Sequence, residues 1–173
     1  MIASLQAFSA RRTGWLLLAA SVLAFELCGL YFEHVLHLQP CVLCIDERIA
    51  FLGILAAALL ALINPRWFIL RWGALLLWGF SALRGLQLAL HHTDLQLHPS
   101  PFKACPLFPT FPGDLPLDRW MPWMFQATGD CSERQWSFLT WEMPQWLIPI
   151  FGAYLLVALV IALVNLRRGN CCS

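Results

Sequence analysis

Four stretches of the chain are almost continuously apolar: residues 14–32, 43–63, 68–90 and 146–166. Each approaches the roughly 20 mostly apolar residues that a helix needs to cross a bilayer. The pattern predicts an all-α membrane protein, a four-transmembrane-helix bundle forming one domain over residues 1–173. Two connections break it on one side: a short loop at 33–42 and a long second loop at 91–145. The long loop holds eight of the eleven prolines, which remove backbone donors and disfavour continuous helix. Within it, residues 115–126 mix Leu, Met and Trp with Asp118 and Arg119. Two readings stand there, a short amphipathic piece on the membrane surface or an irregular loop.

Composition supports the membrane class. Of 173 residues, 60% are hydrophobic and 12% charged, against about 45–50% and 25% in soluble domains. No basic stripe with interleaved aromatics points to nucleic acid. Arg11 and Arg12 before an apolar run resemble a signal peptide. The run lacks a small-x-small cleavage site and contains Glu26, so it is expected to remain as a helix. Arg11, Arg12, Arg66, Arg71, Arg167 and Arg168 would share one side of a four-span chain, with no acidic residue among them. Short positive connections mark the cytoplasmic side. Both termini are therefore expected in the cytoplasm and both loops outside, where Trp120, Trp123, Phe125, Trp136, Trp141 and Trp146 would serve as interfacial anchors.

That topology sorts the seven cysteines. Cys41, Cys44, Cys105 and Cys131 lie outside, where disulfides persist. Three pairings are allowed; Cys41–Cys44 with Cys105–Cys131 is the expected resting one. Structural staples, a zinc site and redox-active pairs compete as readings. Cys105 and Cys131 are far apart for one half of a structural zinc site, and no metal is expected. Closing a ring as short as Cys-x-x-Cys removes little chain entropy, so Cys41 and Cys44 make a poor staple. At a helix start they are placed for thiolate chemistry. A reactive dithiol at a membrane edge suits electron exchange between a soluble protein and a lipid-soluble carrier. Cys28 is expected to be a small packing residue, and Cys171 and Cys172 to be reduced and dispensable.

Charge inside the apolar layer is costly and usually functional. Arg48 lies at i+4 from Cys44 on one helix face, placed to stabilise a thiolate and to hydrogen-bond a carbonyl oxygen. Glu26 and Arg84 lie at matched depth and are expected to pair. His91 and His92 end the third span, as interfacial polar groups or as a carbonyl partner and proton relay.

Pro40-Cys41-Val42-Leu43-Cys44 with Glu47-Arg48 resembles the signature of the bacterial disulfide bond formation protein B (DsbB) family. So do Arg84-Gly85 with Gln87, His92, the run from Leu97 to Phe102 before Cys105, Gly129–Trp136, and Glu142–Trp146. The resemblance covers nearly the whole chain. It implies a multi-pass protein of the bacterial inner membrane that reoxidises a periplasmic dithiol oxidase, DsbA, and passes the electrons to ubiquinone or menaquinone. Carried onto this chain, Cys105 is attacked by the partner and Cys131 is its pair-mate. Cys41 exchanges with Cys131, and Cys44 faces the quinone. Arg48 matches a quinone-contacting arginine and His92 a quinone-site histidine. Asp46, beside Cys44, departs from familiar members, and a nearby carboxylate opposes thiolate formation. The rivals are a paralogue serving another oxidase or quinone, a vitamin K epoxide reductase-like enzyme, and a non-enzymatic scaffold stapled by two disulfides.

Overall fold

The computed structural model describes residues 11–98, 105–111, 113 and 115–169, with side chains to 166. The elements are α1 (Arg12–His34), α2 (Val42–Ile63), α3 (Phe68–Leu97), α4 (Leu117–Trp120), α5 (Pro122–Phe125), β1 (Ser137–Phe138), β2 (Trp141–Glu142) and α6 (Met143–Gly169). The protein is thus mostly helical. By length and composition α1, α3 and residues Met143–Leu166 of α6 can each cross a membrane. The fourth long helix, α2, carries Asp46, Glu47 and Arg48 in its first two turns, and these dilute its apolar run.

The helix ends follow local chemistry. Cys41 caps α2, its sulfur accepting the Cys44 N–H at 3.2 Å. Asn64 ends α2 just before Pro65, with its backbone outside the helical region that a following proline disfavours. The third helix runs to Leu97, seven residues beyond the expected end at 90. His92, Leu95 and Gln96 are buried in that extension, so tertiary contacts keep a polar segment helical. Residues 115–126 form neither a continuous surface helix nor plain coil; they make two four-residue turns, α4 and α5.

Helices pack in the order α1 on α2, α2 on α3 and α3 on α6. Small residues allow the close approaches, as expected where packing rather than water drives association. Ala57, Ala58, Ala61, Ala74, Ala82 and Ala89 are each fully buried. Gly85 faces Phe151 so closely that a Cβ there would enter the ring. Phe151 in turn stacks on Phe51 with centroids 4.3 Å apart, and Trp15 meets Trp78 edge-on at 5.9 Å. Leu17, Leu76, Leu156 and Leu163 point outward, as lipid-facing positions should.

Cys28 is exposed on α1 and lines a cavity, which corrects its expected role as a small packing residue. Cys171, Cys172, Lys103 and residues 99–102 lie outside the described residues.

The long loop folds back over the ends of α2 and α3. Thr128 and Gly129 donate their N–H groups to Pro40 O at 2.9 and 3.0 Å. A Cβ on Gly129 would overlap the Gln39 carbonyl oxygen, so glycine permits this approach. Gln39 N donates to Gln135 Oε1 at 2.8 Å, and Arg134 Nη2 donates to Gln96 O at 2.9 Å. The hairpin β1–β2 pairs Ser137 with Glu142 and Phe138 with Trp141. Leu139 and Thr140 turn it at φ 50° and 70°. Trp136, Phe138, Trp141 and Trp146 form an aromatic stack from hairpin to α6, reaching Phe32 on α1.

Candidate functional site

The α2 cap places the first cysteine pair. Cys41 is buried in the cap turn and Cys44 half-buried one turn on. Their sulfurs are 2.7 Å apart and unbonded. The expected resting disulfide is therefore absent here, although the turn already holds the two sulfurs side by side. Cys105 and Cys131 are joined, their Cα atoms 5.8 Å apart, as expected. The loop delivers this second pair onto the first. Cys41, Leu43, Leu95 and Cys131 form one buried apolar cluster, with Cys44, Leu88 and Cys105 packed against it. Two pairs that are remote in sequence thus share one small volume.

His92 sits beneath them. Its Nε2 faces Cys41 Sγ at 3.6 Å, and its Nδ1 lies 3.2 Å from Glu47 Oε1. Both His92 and Glu47 are 3% exposed. The neighbouring His91 faces outward. Cys41, Cys44 and His92 bring their donor atoms within 4.8 Å of one another. These three could ligate a soft metal; the same atoms are also what thiol redox chemistry needs.

Arg48 is buried and held from three sides. Its Nη2 donates to Glu33 Oε2 at 2.9 Å, its Nη1 to the Met124 carbonyl, and its Nε lies 3.7 Å from Glu26 Oε2. The expected pairing of Glu26 with Arg84 does not form. The first helix packs on α2 rather than α3, so Glu26 meets Arg48, and Arg84 is exposed, donating to Gln87 at 3.3 Å. Asp46 does not point into water. It is 8% exposed and accepts the Thr110 N–H at 2.7 Å, tying the Cys105 strand of the loop to α2.

Outside the helices, Ser132 donates its hydroxyl and its N–H to Asp130 Oδ1 at 2.6 and 2.7 Å. These bonds hold the Asp130 carboxyl below its ordinary range and shape the turn around Cys131.

A cavity of about 310 Å³ opens below the cysteines, lined by Cys41, Cys44, Arg48 and His92 with Phe25, Phe32, Phe51 and Ile150 among its walls. Glu26 also lines it, and Glu26 Oε1 is buried without a hydrogen-bond partner. Aromatic walls with a few convergent polar groups suit a flat molecule carrying oxygen atoms at its edge.

A family model described as disulfide bond formation protein DsbB matches residues 11–161. The chain belongs to the disulfide bond formation protein B family. Similar relatives carry that description. The disulfide bond formation protein B of Aeromonas salmonicida is 56% identical over 173 residues, 100% of both chains. That of Aeromonas hydrophila is equally 56% identical over 173 residues. That of Psychromonas ingrahamii is 53% identical over 159 residues, 92% of this chain and 86% of its own. DsbB family membership identifies a helical membrane protein with oxidoreductase activity in disulfide formation.

Sequence reasoning missed Glu33 as a partner of Arg48 and Glu47 as a partner of His92. The signal was available: both are acids at the ends of apolar runs, where an unpaired carboxylate is costly and calls for a partner.

Proposed function

We propose that this chain reoxidises a periplasmic dithiol oxidase of the DsbA type and passes the electrons to a membrane quinone, ubiquinone or menaquinone. The observation that carries this reading is the single apolar cluster holding both cysteine pairs, with Cys41 and Cys44 also lining the cavity. In that reading all four long helices span the bacterial inner membrane as one domain, with both termini cytoplasmic and the long loop periplasmic.

Cys105 is the point of entry. It lies on the loop beside Leu107 and Phe108, which are 86% and 80% exposed. An apolar tip outside the membrane helices is a surface for a protein partner. Attack by a partner thiolate on Cys105 makes a mixed disulfide and frees Cys131. In the state where Cys41 and Cys44 have been joined by oxidation, Cys131 attacks Cys41, its neighbour in the cluster, the Cys41–Cys44 bond breaks and Cys44 leaves as a thiolate at the cavity wall. A quinone held in the cavity would supply the two-electron, two-proton sink for rejoining Cys41 and Cys44. Arg48 presents donors to that space, which His92 also lines. Glu33 and Glu26 fix the guanidinium so that little side-chain freedom remains to be lost on binding.

Reduced partner and a soluble quinone mixed with the purified chain test this. Thiol-linked quinone reduction is expected, and its absence would return the chain to a disulfide-stapled scaffold.

A further inference from the structure

We propose that Glu47 is a positioning residue that holds His92 as the proton acceptor for Cys41. This goes beyond a quinone-site role for His92 and rests on the proposed redox role of Cys41. Three side chains on two helices form a line: Glu47 Oε1 to His92 Nδ1 at 3.2 Å, then His92 Nε2 to Cys41 Sγ at 3.6 Å. They are 3%, 3% and 2% exposed, so water does not compete for the bonds.

An ionised carboxylate accepts only. With Glu47 ionised, Nδ1 carries a proton and donates it to that carboxylate, and whenever the ring is neutral its Nε2 lone pair faces the Cys41 S–H. This is the logic of an activated nucleophile, in which a base lies within reach of the thiol and a third group orients the base. Once Nε2 takes the proton, Glu47 stabilises the imidazolium beside the Cys41 thiolate. The other groups around the ring are Cys44 on α2, the Cys131 backbone from the loop and Gln96 along α3. Glu26, Glu33, Glu133 and Arg48 line the same cavity.

The chemistry balances around Cys41. When Cys41 closes on Cys44, the S–S bond forms and the Cys41 proton passes through Nε2; with the Cys44 proton and the two electrons of the dithiol it would end on the quinone of the proposed function, leaving Nε2 bare. When Cys105 displaces Cys41 from Cys131, Cys41 leaves as a thiolate and the proton given up by Cys105 reaches it through Nε2.

The test uses the full-length chain, reduced and quinone-free in detergent. Iodoacetamide labelling of Cys41 is followed by fragment-resolved mass spectrometry between about pH 5.5 and 9.5, a range that brackets histidine and thiol titration. His92→Ala and Glu47→Gln should each slow labelling at neutral pH by about tenfold or more, a modest share of what general-base assistance supplies. Both profiles should converge on the unmodified protein at the alkaline end, where the thiol ionises unaided, and Glu47→Asp should recover part of the neutral-pH rate. A Glu47→Gln profile identical to that of the unmodified protein overturns the proposal. So does an equal loss at every pH, which reports altered access rather than proton transfer. Should either variant fail to fold, ¹⁵N shifts of His92 in the unmodified reduced protein decide. A proton on Nδ1 is expected, and a neutral ring protonated only at Nε2 overturns the assignment. Loss of quinone reduction with the pH signature intact would remove the proposed function and leave the dyad. A flat profile with normal turnover would remove only the dyad.

Discussion

The two cysteine pairs are held in opposite ways. Cys41 and Cys44 sit on the first turn of a 22-residue helix whose body is packed by alanines and a stacked Phe51–Phe151 pair. Cys105 and Cys131 sit on loop segments joined to that helix and to the Gln39-Pro40 segment before it by a handful of hydrogen bonds, involving Thr110, Thr128, Gly129 and Gln135. Moving the first pair would mean disrupting the bundle. Moving the second means breaking individually modest bonds, each worth about 0.5–1.5 kcal/mol net. A rigid pair lining the cavity and a second pair tethered on the loop suit the proposed relay, in which one end stays aimed at the bilayer and the other meets a separate protein.

The sharpest way to separate the pairs is to disable each in turn. Cys44→Ser is expected to abolish quinone reduction while the Cys105–Cys131 pair still forms a mixed disulfide with a reduced partner; trapping that species on gels reads it out. Cys105→Ser should do the reverse, blocking partner oxidation. Full-rate partner turnover by Cys105→Ser would show that the division of labour is wrong.

Two glycines then compare the regions mechanically. Gly85→Leu drives a side chain into Phe151 and, as overpacking of a tight core, should cost about 1–3 kcal/mol of stability. Denaturation in detergent measures it. Gly129→Ala pushes only on the Gln39 carbonyl, so it should leave the bundle's unfolding midpoint nearly unchanged. Faster alkylation of Cys131 in the reduced chain would report the lifted loop. An equal loss of global stability from both would mean that the loop and bundle form one cooperative unit.

Arg48→Ala should raise the KM for quinone more than it lowers kcat, because the guanidinium faces the cavity rather than the sulfurs. An unchanged KM would confine Arg48 to its links with Glu33 and Glu26. Asp46→Ala removes the acceptor for Thr110 N–H and should loosen the Cys105 strand by about 1 kcal/mol, read as faster amide exchange near Thr110. Asp46→Asn keeps an acceptor oxygen and should change little.

The smallest effect concerns pH. Asp130 is held below its ordinary range by Ser132, so its contribution to the Cys131 turn is present above the unfolded carboxyl value of about 3.9. It is lost as pH falls through the still lower folded value. Because Asp130 is exposed, the effect is local: amide exchange at Ser132 should accelerate only in strongly acidic solution. Acceleration near neutrality would contradict it.

Much of this was legible before any fold was known. Three of the long apolar runs became helices of nearly the expected extent, since a run of about 20 apolar residues has few other ways to satisfy its backbone. The third exceeded its expected end because hydropathy falls at His91 while burial of His92, Leu95 and Gln96 does not. Cys41, Cys44, Cys105 and Cys131 were picked out together, and they share one cluster. The failures lie in cross-helix partners. Glu26 and Arg84 matched in depth, yet Arg48 took the acid.

The order of residues was enough to set the membrane class, the helix starts and all but one of the helix stops, the cysteine spacing and the family. Those depend on local chemistry: run length, proline, and a sulfur at a helix cap. It left open which acid holds Arg48, that Glu47 meets His92, and that the loop lowers Cys131 onto Cys41. Those pairings depend on which helices are neighbours and how each is rotated about its axis. A helix apolar on nearly every face leaves that rotation undefined until its neighbours pack against it.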